Sequence, residues 1–329
     1  MSSTGSIALD RQIRSQPEAI EHMITSPSVR DQVRQAAEGL HRARRLWLVG
    51  TGTSQHAAEL AVAMLAEAGR AATAVPAMQF VTRAPVIGPK DGVIVITHTG
   101  ETSYALAARA QAFTAGLDTV TITKRGTNFP DVIETVEPEA SETYTVSYTT
   151  AVIALALIAQ ELGAEQFSDD VLREVPAAVQ DAIDDPGVDS VPRPDRVLIV
   201  TGAGVAATTA REGALKVREA ARVLAEGYDV EYLLHGSAVP LDPRDHLLTL
   251  TPPDEPLVAG VGAAADQEGL GVTVLREPSR LPVVLAQLPL TVRLQLLSVR
   301  LAKEGRHDPD RVIVGAWGDE ALWKAGAPE

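Results

Sequence analysis

Apolar positions along the chain fall into short continuous runs separated by longer striped stretches. Leu46-Trp47-Leu48-Val49 and Val93-Ile94-Val95-Ile96 are such runs, and Asp118 to Thr123 is a third, more polar one. Runs that are apolar at consecutive positions predict strands buried on both faces. Between them, residues 54–69 and 102–116 carry Ala-rich stripes at helical spacing, and Thr149 to Leu162 reads as a longer apolar helix. Strand and helix alternate, which predicts a parallel sheet with helices on both sides. Upstream, residues 10–40 predict polar helix, broken at Pro17 and restarted at Ser26 with Pro27 in the first helical position.

A softer stretch, residues 163–195, contains Asp184-Asp185-Pro186-Gly187 and Pro192-Arg193-Pro194. It predicts one helix, Val171 to Ile183, and then a linker. The pattern then restarts. Arg196 to Val200 mirrors Arg44 to Leu48, and Gly202-Ala203-Gly204 mirrors Gly50-Thr51-Gly52, an offset of 152 residues (Gly50 against Gly202). At that offset Ala58 meets Ala210, Glu67 meets Glu219, and Thr97 and Thr99 meet Thr249 and Thr251. A common offset through strand, turn and helix predicts two copies of one α/β unit. The expected organisation is a helical segment at 1–30, a first unit at 31–165, a helix and linker at 166–195, and a second unit at 196–329. The expected fold class is α/β, two tandem doubly wound, flavodoxin-like parallel sheets.

Composition narrows the function. The 329 residues include 29 Lys+Arg against 43 Asp+Glu, a net charge of −14 that disfavours a nucleic-acid partner. There is no cysteine, so thiol catalysis, disulfides and Cys-based zinc sites are excluded. The seven histidines contain no HxxxH pair, so no metal is expected. The longest apolar run, Ala151 to Ala159, is far short of the ~18 residues that span a bilayer, and the N-terminus lacks a signal-like apolar region. A cytoplasmic protein without a membrane partner is expected.

Ligands of open α/β sheets bind beyond the carboxyl ends of the strands. Three segments suit that position. Gly50-Thr51-Gly52-Thr53-Ser54 is either an ordinary strand-to-helix turn, with Thr53 and Ser54 as caps, or part of a ligand turn. Thr97-His98-Thr99-Gly100-Glu101-Thr102 follows the strongest strand. Its hydroxyls, glycine backbone and helix start would hold a phosphate without a lysine; alternatively Thr99 and Thr102 are a simple capping pair. The second copy has Thr251-Pro252-Pro253-Asp254-Glu255 there, two prolines without N–H and two carboxylates. Copy one can cradle an anion at this loop and copy two cannot, which predicts one composite site. The third segment, Glu212 to Glu219, puts Lys216 and Glu219 on one helix face, three residues apart. They form either a proton-shuttling pair or a surface salt-bridge ladder. His235 before Gly236 reads as a loop histidine, a side chain suited to proton transfer.

These segments, in this order, resemble the sugar isomerase (SIS) domain family, in its double-SIS arrangement, over about residues 30–310. Gly213 to Gly236 (GALKVREAARVLAEGYDVEYLLHG) is similar to that family's GALKxKE…AE…HG segment; GTGTS (Gly50 to Ser54) and THTGET (Thr97 to Thr102) resemble its GTS and SQSGET motifs. The resemblance implies that Gly52, Thr53 and Ser54, together with Thr97, His98, Thr99, Gly100 and Thr102, hold a sugar phosphate. It implies that Glu219 is the base that moves a proton between C1 and C2, with Lys216 positioning substrate hydroxyls or that base. It also implies that His235 assists ring opening from the neighbouring subunit, hence a homodimer. No metal or organic cofactor is required. His98 stands where the motif has Gln, Glu142 to Thr149 lacks the family's lysine, and the tail bearing Lys324 does not match. No glutaminase domain is expected upstream, nor a helix-turn-helix domain. The expected activity is aldose–ketose isomerisation of a phosphosugar, or deamination of an aminosugar phosphate such as glucosamine 6-phosphate. A fructosyl-amine phosphate deglycase, a non-catalytic sugar-phosphate sensor, and an isomerase fed by a separate glutaminase are the alternatives.

Overall fold

A computed structural model describes residues 7–83 and 86–325. The ends of the expected 1–30 and 196–329 segments therefore lie partly outside the described residues. Two helices lead, α1 (Ala8–Thr25) and α2 (Pro27–Leu40). Then come β1 (Arg45–Gly50), α3 (Thr53–Glu67), β2 (Ala72–Pro76), α4 (Ala77–Thr82), β3 (Asp91–Thr97), α5 (Ser103–Thr114), β4 (Asp118–Thr123), β5 (Val132–Glu134) and α6 (Val146–Glu161). After α7 (Asp169–Asp184) the alternation resumes as β6 (Leu198–Gly202), α8 (Val205–Ala221), β7 (Ala225–Asp229), α9 (Val230–Tyr232), β8 (His246–Thr251), α10 (Pro256–Gln267) and β9 (Gly271–Arg276). The long α11 (Gln287–Gly305) and the short α12 (Glu320–Lys324) follow.

The chain divides into two compact units. The N-terminal unit holds Glu18–Glu139, Val146–Arg173 and the described residues from Ile313 onward; the C-terminal unit holds the described residues up to Pro17, Ala140–Thr145 and Glu174–Val312. Each has one parallel sheet, ordered β2-β1-β3-β4-β5 in the N-terminal unit and β7-β6-β8-β9 in the C-terminal unit. The chain is thus an α/β protein built on parallel sheets of 5 and 4 strands.

The core of the N-terminal unit follows strand periodicity. Trp47, Val49, Val93 and Val95 face α4 and α5, packing on Phe80, Ala105 and Ala108. Alternate residues Leu46, Leu48, Ile94 and Ile96 are buried on the opposite face. Helix α6 is buried continuously from Val146 to Ala159, as expected of a helix apolar all round. In the C-terminal unit Val197, Ile199 and Leu247 pack with Val230, Val258 and Val261, and α8 lies against α11. That packing is close: a Cβ on Gly213 would fall 2.3 Å from Leu294 Cδ1.

Two expectations need correction here. Pro17 does not break α1, which runs through it. The carbonyl of Ile13, left without its proline N–H donor, accepts the Gln16 side-chain amide at 3.0 Å. The offset of 152 also does not hold throughout. Val49 pairs with Val95 in one sheet and Thr201 with Thr249 in the other, so the offset has become 154 (Val95 against Thr249). Thr97 therefore corresponds to Thr251, and Pro252-Pro253 to His98-Thr99.

Candidate functional site

In the N-terminal unit the turn after β1 is shaped by two glycines. A Cβ on Gly50 would sit 2.6 Å from the Ser54 backbone carbon, and Gly52 has φ +55°. Gly52 itself is the N-cap of α3 and Thr53 is already helical, so Thr53 and Ser54 are not the caps expected of them. Both are buried at the helix start.

The turn after β3 lies one strand further on. Gly100 has φ +69°, and its N–H donates to the Thr97 carbonyl at 3.2 Å. Thr99 Oγ1 accepts the Glu101 N–H at 3.1 Å. Thr102 is the N-cap of α5, but its side chain makes no capping bond, so Thr99 and Thr102 are not a simple capping pair. The first-turn amides of a helix have no partner within it, and here no acidic residue occupies that turn. Thr97 and Thr123 are register partners at the ends of β3 and β4, and the Oγ1 of each is solvent-excluded and without a hydrogen-bond partner among the described residues. Buried hydroxyls left unpaired at a sheet's carboxyl end mark a place where polar chemistry is unfinished. His98 is half-buried beside them, its carbonyl accepting the Lys124 N–H at 3.2 Å. The Lys124 ammonium is engaged by Glu101 at 2.9 Å. A cavity of about 390 Å³ opens at this turn, lined by Thr51, Thr99, Thr102, Ser103, Met78 and Trp323, among others. Lys324 points its charge to Glu320 instead.

In the C-terminal unit, helix α8 carries a buried ionic cluster. Glu212 is 0% and Lys216 1% exposed. Lys216 Nζ lies 3.6 Å from Glu212 Oε1 and donates to Glu219 Oε2 at 2.7 Å. Only Glu219 reaches solvent, its side chain 23% exposed. Burial of the lysine rules out the surface-ladder reading. A buried ammonium needs carboxylate partners, and Glu212 supplies one so that Glu219 is held at the solvent edge. Glu212 had no assigned role in the motif reading, although its i−4 spacing from Lys216 was visible.

His235 lies not in an open loop but in a kinked helical turn, Leu233–Ser237, and Gly236 at φ +109° ends the regular path. The imidazole is exposed, with Tyr232, Leu234 and Val239 exposed around it. Asp229 caps the preceding α9 by accepting the N–H of Glu231 at 2.9 Å. Nearby, the Tyr228 hydroxyl donates to Glu226, which together with burial raises its pKa. Among the described residues no three His, Asp or Glu gather as a metal site, and no helix is long and apolar enough to cross a membrane.

A parallel sheet ordered 2-1-3-4-5, with glycine- and hydroxyl-rich turns at its carboxyl end, defines an open α/β unit, a class in which ligands bind beyond the carboxyl ends of the strands. Residues 39–159 match the family model for the SIS domain. Over 335 residues it is 28% identical to glutamine--fructose-6-phosphate aminotransferase [isomerizing] of Pyrococcus horikoshii, covering 92% of this chain and 55% of that protein. The chain thus spans about half the length of the curated relatives it matches. Its fold is that of the C-terminal domain of glucosamine-fructose-6-phosphate aminotransferase from Francisella tularensis, with TM-score 0.78, 21% identity, and coverage of 94% of this chain and 100% of that one. It is also that of tagatose-6-phosphate ketose/aldose isomerase from Escherichia coli, with TM-score 0.77, 19% identity, and coverage of 97% and 99%.

Proposed function

We propose that this chain is a phosphosugar isomerase of the SIS type, acting on a hexose phosphate or its 2-amino counterpart. The observation that carries the reading is the α8 cluster: a buried lysine, neutralised from below by Glu212, holds the Glu219 carboxylate at the solvent edge. Burying two charged groups and leaving a third at the solvent edge costs desolvation that an apolar helix face avoids, and such clusters are enriched at functional sites. The relatives support the same class, since an isomerizing aminotransferase and a ketose/aldose isomerase are among them.

In this reading Thr97, Thr99, Thr102 and the start of α5 bind the phosphate, with Gly52, Thr53, Ser54, His98 and Gly100 shaping the turn. His235 assists opening of the sugar ring. Glu219 removes the C2 proton of the open-chain aldose while the C1 carbonyl oxygen gains a proton, giving an enediol. Glu219 then returns its proton to C1, and the C2 hydroxyl loses one to become the ketone. Lys216 orients Glu219. A 2-amino substrate passes through an enolamine, and hydrolysis of the resulting C2 imine by water would release ammonia. The same proton transfer serves both outcomes.

Residues 31–165 and 196–329 are proposed as two SIS-type units. They share the strand order 2-1-3-4 and the same β–α turn, with Gly52 at φ 55°, ψ −129° and Gly204 at φ 56°, ψ −123°. A homodimer that brings His235 to the neighbouring subunit's site is proposed as well, supported by the exposed apolar residues around that turn. The deciding experiment is exchange in deuterated water. Wild type should exchange the C2 or C1 hydrogen of a bound hexose phosphate, whereas Glu219→Gln should still bind the ligand without exchanging it. Binding by the wild type without exchange would make the protein a sensor and remove the isomerase reading.

A further inference from the structure

The C-terminal segment brings an aromatic ring to the turn that the proposed reading gives to the phosphate. Helix α12 starts at Asp319, which accepts the Ala321 N–H at 2.9 Å. Trp323 Nε1 donates to the Trp317 carbonyl at 2.6 Å, so the polar edge of the indole is satisfied within its own segment. What remains is the apolar face of a residue that is 58% exposed and borders the cavity of about 390 Å³. Two chemistries line that cavity. Thr51 of the β1–α3 turn and Thr99, Thr102 and Ser103 at the start of α5 offer hydroxyls, with the Glu101 carboxylate at their side, while Met78, Tyr104 and Trp323 form an apolar and aromatic wall. Inorganic phosphate uses only the first set. A phosphate carried on a carbon skeleton uses both.

We infer that Trp323 is a specificity residue for the carbon skeleton of a phosphorylated sugar, its indole lying against the C–H face of the ligand. The inference rests on the phosphosugar reading above. It also assigns a task to the part of the chain where the motifs stop matching: an aromatic wall stands beside the cradle, while the Lys324 charge is held by Glu320. A lone hydroxyl cradle cannot discriminate a sugar phosphate from free phosphate. The wall adds an apolar contact that only the sugar can make, and an aromatic face of this kind contributes about threefold to tenfold in affinity.

The test uses the full chain in a Trp317→Phe background. This substitution keeps the carbonyl that holds Trp323 and leaves the buried Trp47 as the other emitter. Fructose 6-phosphate, glucosamine 6-phosphate and inorganic phosphate are titrated, with melting temperature and tryptophan emission both recorded. The expected result is a change in emission with a sugar phosphate and none with inorganic phosphate. Trp323→Ala should lower affinity for that sugar phosphate about threefold to tenfold and leave inorganic phosphate binding unchanged. Trp323→Phe, which keeps a ring, should retain most of the affinity. If a sugar phosphate raises the melting temperature while emission is unchanged and Trp323→Ala binds it equally well, the role of Trp323 is refuted and the phosphosugar reading stands. If neither sugar phosphate raises the melting temperature, the phosphosugar reading fails and this inference falls with it.

Discussion

Helices α3 and α8 start from the same glycine turn and occupy the same place in their respective sheets, yet they bury opposite chemistry. At the offset of 152 residues, Glu212 stands where α3 has Leu60, Lys216 where it has Met64, and Glu219 where it has Glu67. Leu60 and Met64 are 1% and 0% exposed, so α3 shows that the site packs well with apolar side chains. The turns differ in the reverse sense. The N-terminal unit has His98-Thr99-Gly100 after β3; the C-terminal unit has Pro252-Pro253-Asp254 after β8, beside a larger cavity of about 560 Å³ lined by Asp254, Glu255, Val272, Val274 and Arg276, among others. Cavity size is therefore a poor guide here. The smaller cavity is lined by four threonine and serine hydroxyls and one carboxylate, Glu101, whereas the larger one has three carboxylates, Asp254, Glu255 and Asp266, against the single cation Arg276. Of two units with matching elements, the N-terminal one carries a hydroxyl-bearing turn and the C-terminal one a buried ionic cluster.

The contrast can be broken deliberately. Lys216→Met, which copies the α3 residue alone, leaves Glu212 buried without its cation; it should cost about 3–5 kcal/mol in urea unfolding and abolish turnover. His98→Pro with Thr99→Pro, which copies the other turn, removes two donors and should weaken sugar-phosphate binding by about 100-fold in a thermal-shift titration. Activity that survives this double substitution would show that the turn is not the anion site. Gly100→Ala is milder. It forces a Cβ into a φ of +69° and to 3.2 Å from Thr123 Oγ1, so about 1–2 kcal/mol of stability should be lost, together with some ligand affinity. The smallest effect on stability is the most telling. Glu212→Leu with Lys216→Met transplants the whole apolar pair of α3 and should restore stability to near wild type or better, with turnover still absent. If this variant is as unstable as Lys216→Met alone, the cluster is structural and not kept for chemistry.

Legibility in the sequence followed burial. Strands β1, β3 and β4 and helices α3, α5 and α6 were readable because their residues face apolar neighbours on one or two sides. Strands β2, β5, β7 and β9 were not singled out. Ala72–Pro76 and Ala225–Asp229 are half-exposed edge strands, and Val132–Glu134 is short, so none presents an apolar run. The persistence of α1 through Pro17 could not be read locally, since it depends on the Gln16 side chain reaching the freed carbonyl. The spacing of Lys216 and Glu219 was plain, but spacing alone favoured a surface salt-bridge ladder over a proton-shuttling pair.

The sequence by itself determined the alternation of strand and helix, the positions of the glycine turns and the candidate acid–base and hydroxyl residues. These are properties of side-chain period and of backbone freedom, both of which are local. Only the tertiary structure decided that Lys216 is buried with Glu212 beneath Glu219, that Thr97 and Thr123 leave their hydroxyls unsatisfied, and that Trp323 borders the β3–α5 turn. Burial, unsatisfied hydrogen bonds and cavity walls depend on residues far apart in the chain. Solvent is excluded by the packed whole, and no single stretch of sequence carries that information.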